Sequence, residues 1–196
     1  MKSILEPVLS RLRIFKVKRY IKRISNPTIL DIGCGQNYLL LNDLKNRIDK
    51  GYGIDKCVTS KSFQNITLMN NNIENGIPLH NNAVDVITIL AVLEHMNNPL
   101  FILSEIGRIL KPGGVLLLTV PSIWSKPLLE FLAFKLGIVD PVQIKDHKTY
   151  YNYKLLAELF SKVEGLYIKK HQYIQIFMNN FVLAKKNFDS GISFTN

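Results

Sequence analysis

Nowhere do apolar residues run for the ~18–20 positions that a membrane-crossing helix needs, so no such span is predicted. Cysteine is scarce as well. Two residues, Cys34 and Cys57, in a chain of 196 cannot build a disulfide framework, and they read as reduced thiols. Apart from His95 and His147, the histidines His80 and His171 have no acidic or thiol partners at ligand spacing, so no metal cluster is expected. The first residues, with Lys2, Glu6 and Pro7, form no apolar signal core, which predicts a cytoplasmic protein. Acidic side chains are few, 15 against 25 basic ones, and the net charge is +10. No Lys-Ser or Lys-Thr pair follows a glycine turn, which excludes a phosphate-cradling P-loop.

What is present is a glycine turn with an apolar run before it. Ile29 to Ile32 breaks into Gly33-Cys34-Gly35, and a helical pattern follows from Tyr38 to Leu44. Strand, tight turn and helix in that order let a ligand approach the main chain where no Cβ intervenes. Further on, Tyr52-Gly53-Ile54 reads as a second strand ending in Asp55, an acid able to accept both hydroxyls of a ribose. A dinucleotide site would place a third glycine where Tyr38 stands. The pattern predicts a pocket for a nucleoside without phosphates.

At these residues the chain resembles the class I S-adenosylmethionine-dependent methyltransferases of small-molecule type, with a methyltransferase domain 11-like pattern. Leu30-Asp31-Ile32-Gly33-Cys34-Gly35 is similar to that family's glycine motif, and Asp55 falls at its ribose-binding acid. Asn72-Ile73 stands where the family usually has Asp-Ile, and a neutral amide oxygen can still accept a hydrogen bond from an adenine amino group. Leu93-Glu94-His95-Met96, a helix from Phe101 to Leu110 and Lys111-Pro112-Gly113-Gly114 follow in family order. The resemblance is close over Thr28 to Pro121. It implies S-adenosyl-L-methionine as cofactor. Asp31, Gly33, Cys34 and Gly35 would shape its turn, Asp55 and Lys56 would border ribose and adenine, Asn72 and Ile73 would meet the adenine edge and face, and Leu90 and Ala91 would lie beneath the methyl donor.

Alternating strand and helix patterns predict an α/β fold, a Rossmann-like doubly wound sheet of seven strands, mostly parallel with an antiparallel C-terminal strand. Strands are expected near 28–32, 51–54, 66–69, 84–89, 114–120, 165–173 and 179–186, and helices near 37–46, 99–110 and 152–161. Residues 1–25 carry eight basic side chains and one acidic one, interleaved with Val8, Leu9, Leu12, Phe15 and Val17. They read as a basic amphipathic helix set off by Ser25-Asn26-Pro27. Three uses are open to it: capping the sheet, meeting an anionic membrane or phosphate-bearing substrate, or binding nucleic acid. The last is disfavoured, because no stacking aromatics interleave with the charges. Residues 26–187 form the main domain, with a lid-like insertion at 121–150 that holds an apolar helix from Pro127 to Gly137. Residues 188–196 form a polar tail.

Methyl transfer from a sulfonium is an in-line displacement that asks mainly for alignment, with a base only where the acceptor is protonated. The candidate catalytic residues are His147, His95 and Tyr150. His147 lies in the polar cluster of Asp146, Tyr150 and Tyr151, and Glu94 could orient an acceptor. The expected reaction is methylation of a small-molecule or lipid-linked acceptor. The stretch from Asp146 to Leu156 loosely resembles family members of cell-surface glycan and lipid pathways, and a quinone is a close alternative. A non-catalytic S-adenosylmethionine-binding module and a nucleic-acid methyltransferase are the rivals. Against the second, Leu90-Ala91-Val92-Leu93 stands where a base-flipping Asn/Asp-Pro-Pro-Tyr signature would be.

Overall fold

The computed structural model describes residues 5–127 and 148–188. Eight strands form one sheet: β1 (Ile29–Ile32), β2 (Gly51–Ile54), β3 (Lys61–Phe63), β4 (Ile66–Met69), β5 (Val84–Leu90), β6 (Leu110–Pro121), β7 (Leu166–Ile174) and β8 (Asn179–Lys186). Their order is β3-β4-β2-β1-β5-β6-β8-β7. From β4 to β6 neighbouring strands are parallel. At the ends, β3 is antiparallel to β4, and β8 is antiparallel to both β6 and β7. The chain leaves β1 toward β2 and later returns to β5 on its other side. That reversal opens a crevice at the carboxyl ends of β1 and β5.

The doubly wound α/β sheet is as expected, with one correction: it has eight strands rather than seven. The added strand is β3, which is short and lies at the sheet edge, with Lys61 and Ser62 exposed. It joins β4 through Gln64-Asn65, and Gln64 takes a left-handed φ of 52° with no glycine to signal the turn.

Helices α1 (Leu5–Ile21), α2 (Leu39–Leu44), α3 (Pro99–Ile109) and α4 (Tyr153–Ser161) cover the sheet. Side chains alternate across each strand, so one strand feeds two cores. Ile29, Val86, Leu117 and Phe181 meet Val17 and Ile21 of α1 and Leu40, Leu41 and Leu44 of α2. Leu30, Ile87, Leu116 and Leu118 meet Ile102, Leu103 and Ile106 of α3 and Leu156 and Phe160 of α4. Burial on both faces explains why the inner strands read as nearly unbroken apolar runs.

Helix α3 starts where Asn98 Oδ1 accepts the Phe101 N–H at 3.0 Å with Pro99 in the first turn, and its inward residues recur at helical spacing. Replacing Leu103 or Ile106 by Ala would cost about 2–5 kcal/mol. Helix α1 lies against the sheet: Tyr20 stacks on Phe181 at 5.2 Å, and Lys16 Nζ donates to Gln172 Oε1 at 3.0 Å. Val8, Leu12 and Phe15 of this helix do not pack on the sheet. They point to solvent instead, because Arg13, Val17 and Ile21 occupy the face against the sheet.

Among the described residues no helix is long and apolar enough to cross a membrane. The expected helix from Pro127 to Gly137 lies almost wholly outside the described residues. His147 and all of the tail after Phe188 also lie outside them.

Candidate functional site

Beyond β1 the chain turns through Gly33 and Gly35, both left-handed, with φ of 73° and 67°. The Gly33 and Cys34 N–H groups donate to the Ile54 carbonyl at 2.8 and 3.3 Å, so the turn hugs the end of β2. The two glycines serve different needs. A Cβ on Gly33 would lie 2.2 Å from Val92 Cγ2, whereas a Cβ on Gly35 would meet nothing within 4 Å. Gly33 is thus a packing requirement, and Gly35 borders open space on the crevice side.

Asp55 closes that space from β2. Its Oδ2 accepts the Gly35 N–H at 2.9 Å, and its Oδ1 accepts the Cys57 N–H at 2.8 Å. A carboxylate has about four lone-pair sites, so each oxygen keeps capacity for a hydroxyl. Asp31 lies behind it. The β1–β5 register sets Asp31 opposite Thr88, whose Oγ1 donates to Asp31 Oδ1 at 2.5 Å. Burial, reinforced by the charge of Asp55 and opposed by the Thr88 hydrogen bond, pushes the Asp31 carboxyl up to about 7. Cys34 packs against the bare face of Gly53, where an added Cβ would lie 2.9 Å from its Sγ. Burial and the two nearby carboxylates push its thiol up to about 12, so it is a protonated packing residue and not a nucleophile.

The remaining cofactor candidates are placed unevenly. Lys56 is exposed, and its carbonyl accepts the Asn70 side-chain amide at 3.2 Å. Asn72 is exposed and caps a 3-10 turn by accepting the Glu74 N–H at 3.1 Å, while Ile73 is buried in the core beside α3. Glu74 ties this turn to the far wall: its carboxylate accepts the Asn97 N–H at 2.6 Å and the Asn97 side-chain amide at 3.1 Å. Those hydrogen bonds hold its pKa below the usual carboxylate range, with Lys148 and Lys56 adding to the effect. Leu90 ends β5 and Ala91 follows it, both half-buried. Ala91 adopts φ 57° while its N–H donates to the Thr119 carbonyl at 2.9 Å, a left-handed conformation that costs roughly 1–2 kcal/mol.

The opposite side of the crevice is built from two distant segments. The 3-10 turn Leu93–His95 follows β5, and Lys148 N–H donates to the Glu94 carbonyl at 2.9 Å while Lys148 Nζ donates to Asn97 Oδ1 at 2.6 Å. Residues 148–151 then fold back on the end of β6, where the Tyr151 N–H reaches the Pro121 carbonyl at 3.0 Å and its own carbonyl accepts the Asn180 amide at 2.9 Å. These contacts bring the segment of Tyr150 against the turn that holds His95; both residues are half-buried, and Lys126 Nζ lies 5.9 Å from the Tyr150 ring centroid.

Glu94 is buried, 1% exposed, next to Tyr151 at 2%. Burial and the charge of Glu94 push the Tyr151 phenol up to about 12. Sequence reasoning gave Thr88 no role and treated Glu94 as a solvated or orienting group. Thr88 has a signal, as the lone hydroxyl among the apolar residues that close β5. Glu94 has none without the fold. Among the described residues no cluster of three or more His, Cys, Asp or Glu could hold a metal ion.

A family model described as a methyltransferase domain matches residues 9–166. A Mycolicibacterium smegmatis protein described as a probable S-adenosylmethionine-dependent methyltransferase is 28% identical over 110 residues, which is 54% of this chain and 42% of that protein. The ubiquinone biosynthesis O-methyltransferase of Hydrogenovibrio crunogenus is 29% identical over 114 residues, 54% of this chain and 47% of that enzyme. The matches thus span less than half the length of these curated relatives. The structure of an S-adenosylmethionine-dependent methyltransferase from Mesorhizobium loti shares the fold, with a TM-score of 0.66 at 13% identity over 89% of this chain and 98% of that one.

Proposed function

Since the chain belongs to the methyltransferase-domain family, class I enzymes that use S-adenosylmethionine, we propose that it transfers a methyl group from that donor to a small-molecule or lipid-linked acceptor. The observation that carries the reading is the open space over Gly35 beside the Asp55 carboxylate, at the switch point of the sheet. A cradle without Cβ and a carboxylate with free lone pairs fit an adenosyl group and its amino-acid tail. The donor supplies a methyl on a good leaving group.

In this reading Asp31, Gly33, Cys34 and Gly35 shape the turn. Asp55 takes the ribose hydroxyls, in charge-assisted hydrogen bonds worth about 1.5–3 kcal/mol each. Lys56 and Asn72 line the adenine side, with Asn72 free to use its amide group while its oxygen caps the 3-10 turn, and Ile73 backs that turn from the core. Leu90 and Ala91 form the floor. Asp31 answers the positive charge of the donor from below, and a cation in the crevice favours its ionised form.

On the acceptor side, the imidazoles of His95 and His147 are the groups suited to take a proton from a hydroxyl, and Tyr150 is the candidate to hydrogen-bond the acceptor. Buried Glu94 and Tyr151 orient that rim. The ubiquinone-pathway relative supports an apolar hydroxyl-bearing acceptor of the quinone kind over a nucleic acid. Calorimetric titration with S-adenosylmethionine and S-adenosylhomocysteine tests the donor. Transfer of labelled methyl groups into extracted lipids, quinones and water-soluble metabolites tests the acceptor. Donor binding without transfer to any fraction would support the non-catalytic alternative.

A further inference from the structure

The tip of the β7–β8 hairpin is an anomaly. Hairpin tips normally carry polar residues or glycine. Here Gln175, Ile176 and Phe177 all take left-handed φ, at 53°, 55° and 61°. For a β-branched residue such as Ile176 this is a genuine outlier. The strained turn holds Ile176 93% exposed and Phe177 63% exposed. It is also firmly tied down. Gln175 Nε2 donates to the Leu9 carbonyl of α1 at 3.0 Å, Asn179 Nδ2 donates to Gln175 Oε1 at 2.6 Å, and Ser122 Oγ donates to the Phe177 carbonyl at 2.5 Å.

Those anchors bring three exposed apolar groups to one end of the molecule. Beside the tip stand Ile123 and Trp124, 38% and 66% exposed, just beyond Ser122. On the other side is the outer stripe of α1. Val8, Leu12, Phe15 and Arg19 recur at spacings of four, three and four, which places them on one side of the helix, with Val8, Leu12 and Phe15 half to two-thirds exposed. Arg19 closes the stripe, and exposed Arg11, Lys22 and Arg23 flank it.

We propose that this surface, the Ile176–Phe177 tip with Trp124 and the outer face of α1, docks on a bilayer rich in anionic headgroups. Apolar wedges rimmed by cations suit an interfacial lipid surface, where side chains enter the acyl boundary and Lys and Arg meet phosphate. An acidic protein partner would match the charges but would not call for a bare Ile held in strained backbone. The docking goes beyond the methyl-transfer reading and does not depend on it.

The test uses the full chain without donor, sedimented with vesicles of phosphatidylcholine alone or mixed with phosphatidylglycerol. Trp124 is the chain's only tryptophan and reports from within the proposed surface. The expected result is pelleting at least roughly tenfold stronger with anionic vesicles, weakened by salt, with Trp124 emission shifted to the blue. The double variant Ile176→Ser/Phe177→Ser should keep the parent's circular dichroism and lose about tenfold in partitioning. Arg11→Glu/Arg19→Glu should lose the preference for phosphatidylglycerol. Equal binding to neutral and anionic vesicles, no binding to either, unmoved Trp124 emission or undiminished pelleting of the tip variant would each overturn the proposal. So would a dimer in sedimentation velocity that the tip variant abolishes while vesicles stay unbound.

Discussion

The two sides of the crevice are made in different ways. The side we assign to the donor is made of backbone: two left-handed glycines, N–H groups donated to Ile54, and carboxylates at the ends of adjacent strands. The side we assign to the acceptor is made of side chains from segments far apart in sequence, with Glu94 meeting Tyr151 only because residues 148–151 return to the end of β6. Backbone geometry demands particular residue types at fixed spacing. Side-chain surroundings can be assembled in many ways, and this freedom suits the part of an enzyme that selects its acceptor.

The largest expected effect breaks the donor side outright. Gly33→Ala adds left-handed strain and a methyl against Val92, and should destabilise the fold by more than about 4 kcal/mol in urea unfolding. Gly35→Ala has the same backbone conformation but free space for its methyl. It should cost only about 1–2 kcal/mol of stability while weakening donor binding tenfold or more, because the methyl occupies the cradle. Equal stability losses in the two variants would contradict the division of roles between the glycines.

Asp31 gives the next effect. Its folded pKa of about 7 lies above the ordinary value of 3.8, so between those limits the folded state holds more protons than the unfolded one. Its contribution to stability therefore falls as pH rises from about 4 to 7. Asp31→Asn should flatten that part of the melting-temperature profile. Donor affinity should rise with pH through 7 in the parent, because a cationic donor prefers the ionised carboxylate, and Asp31→Asn should lose that rise.

The acceptor side should answer differently. Glu94→Gln and Tyr151→Phe should leave donor affinity within about twofold and lower turnover of an identified acceptor about tenfold, by loosening the rim. His95→Ala should show the smallest change if His147 carries the proton and the largest of this group if His95 does. A pH–rate profile of each variant separates these outcomes.

The same contrast decides how much the sequence revealed. The turn at Gly33 and Gly35 was legible because glycine is the residue that most readily takes a left-handed φ, and the sequence places Asp55 at the end of the next strand, where its carboxylate accepts the Gly35 N–H. The parallel character of the inner strands was legible from the alternation of apolar runs with helical patterns. Edge strand β3 was not, since Lys61-Ser62-Phe63 has little apolar pattern and Gln64 replaces the glycine expected at its turn. The direction faced by Val8, Leu12 and Phe15 was not legible either, because helical period tells which residues share a side but not which side meets the sheet. Thr88 opposite Asp31 depends on strand register, and Glu94 against Tyr151 on a return of the chain that no local signal announces.

The most direct measurement is calorimetric titration of S-adenosylmethionine into the parent and into Asp55→Ala at neutral pH. Saturable binding by the parent, reduced about tenfold or more in the variant with folding intact, is the predicted result. A parent that gives no saturable heat, or a variant that binds as tightly as the parent, would contradict the assignment of the crevice.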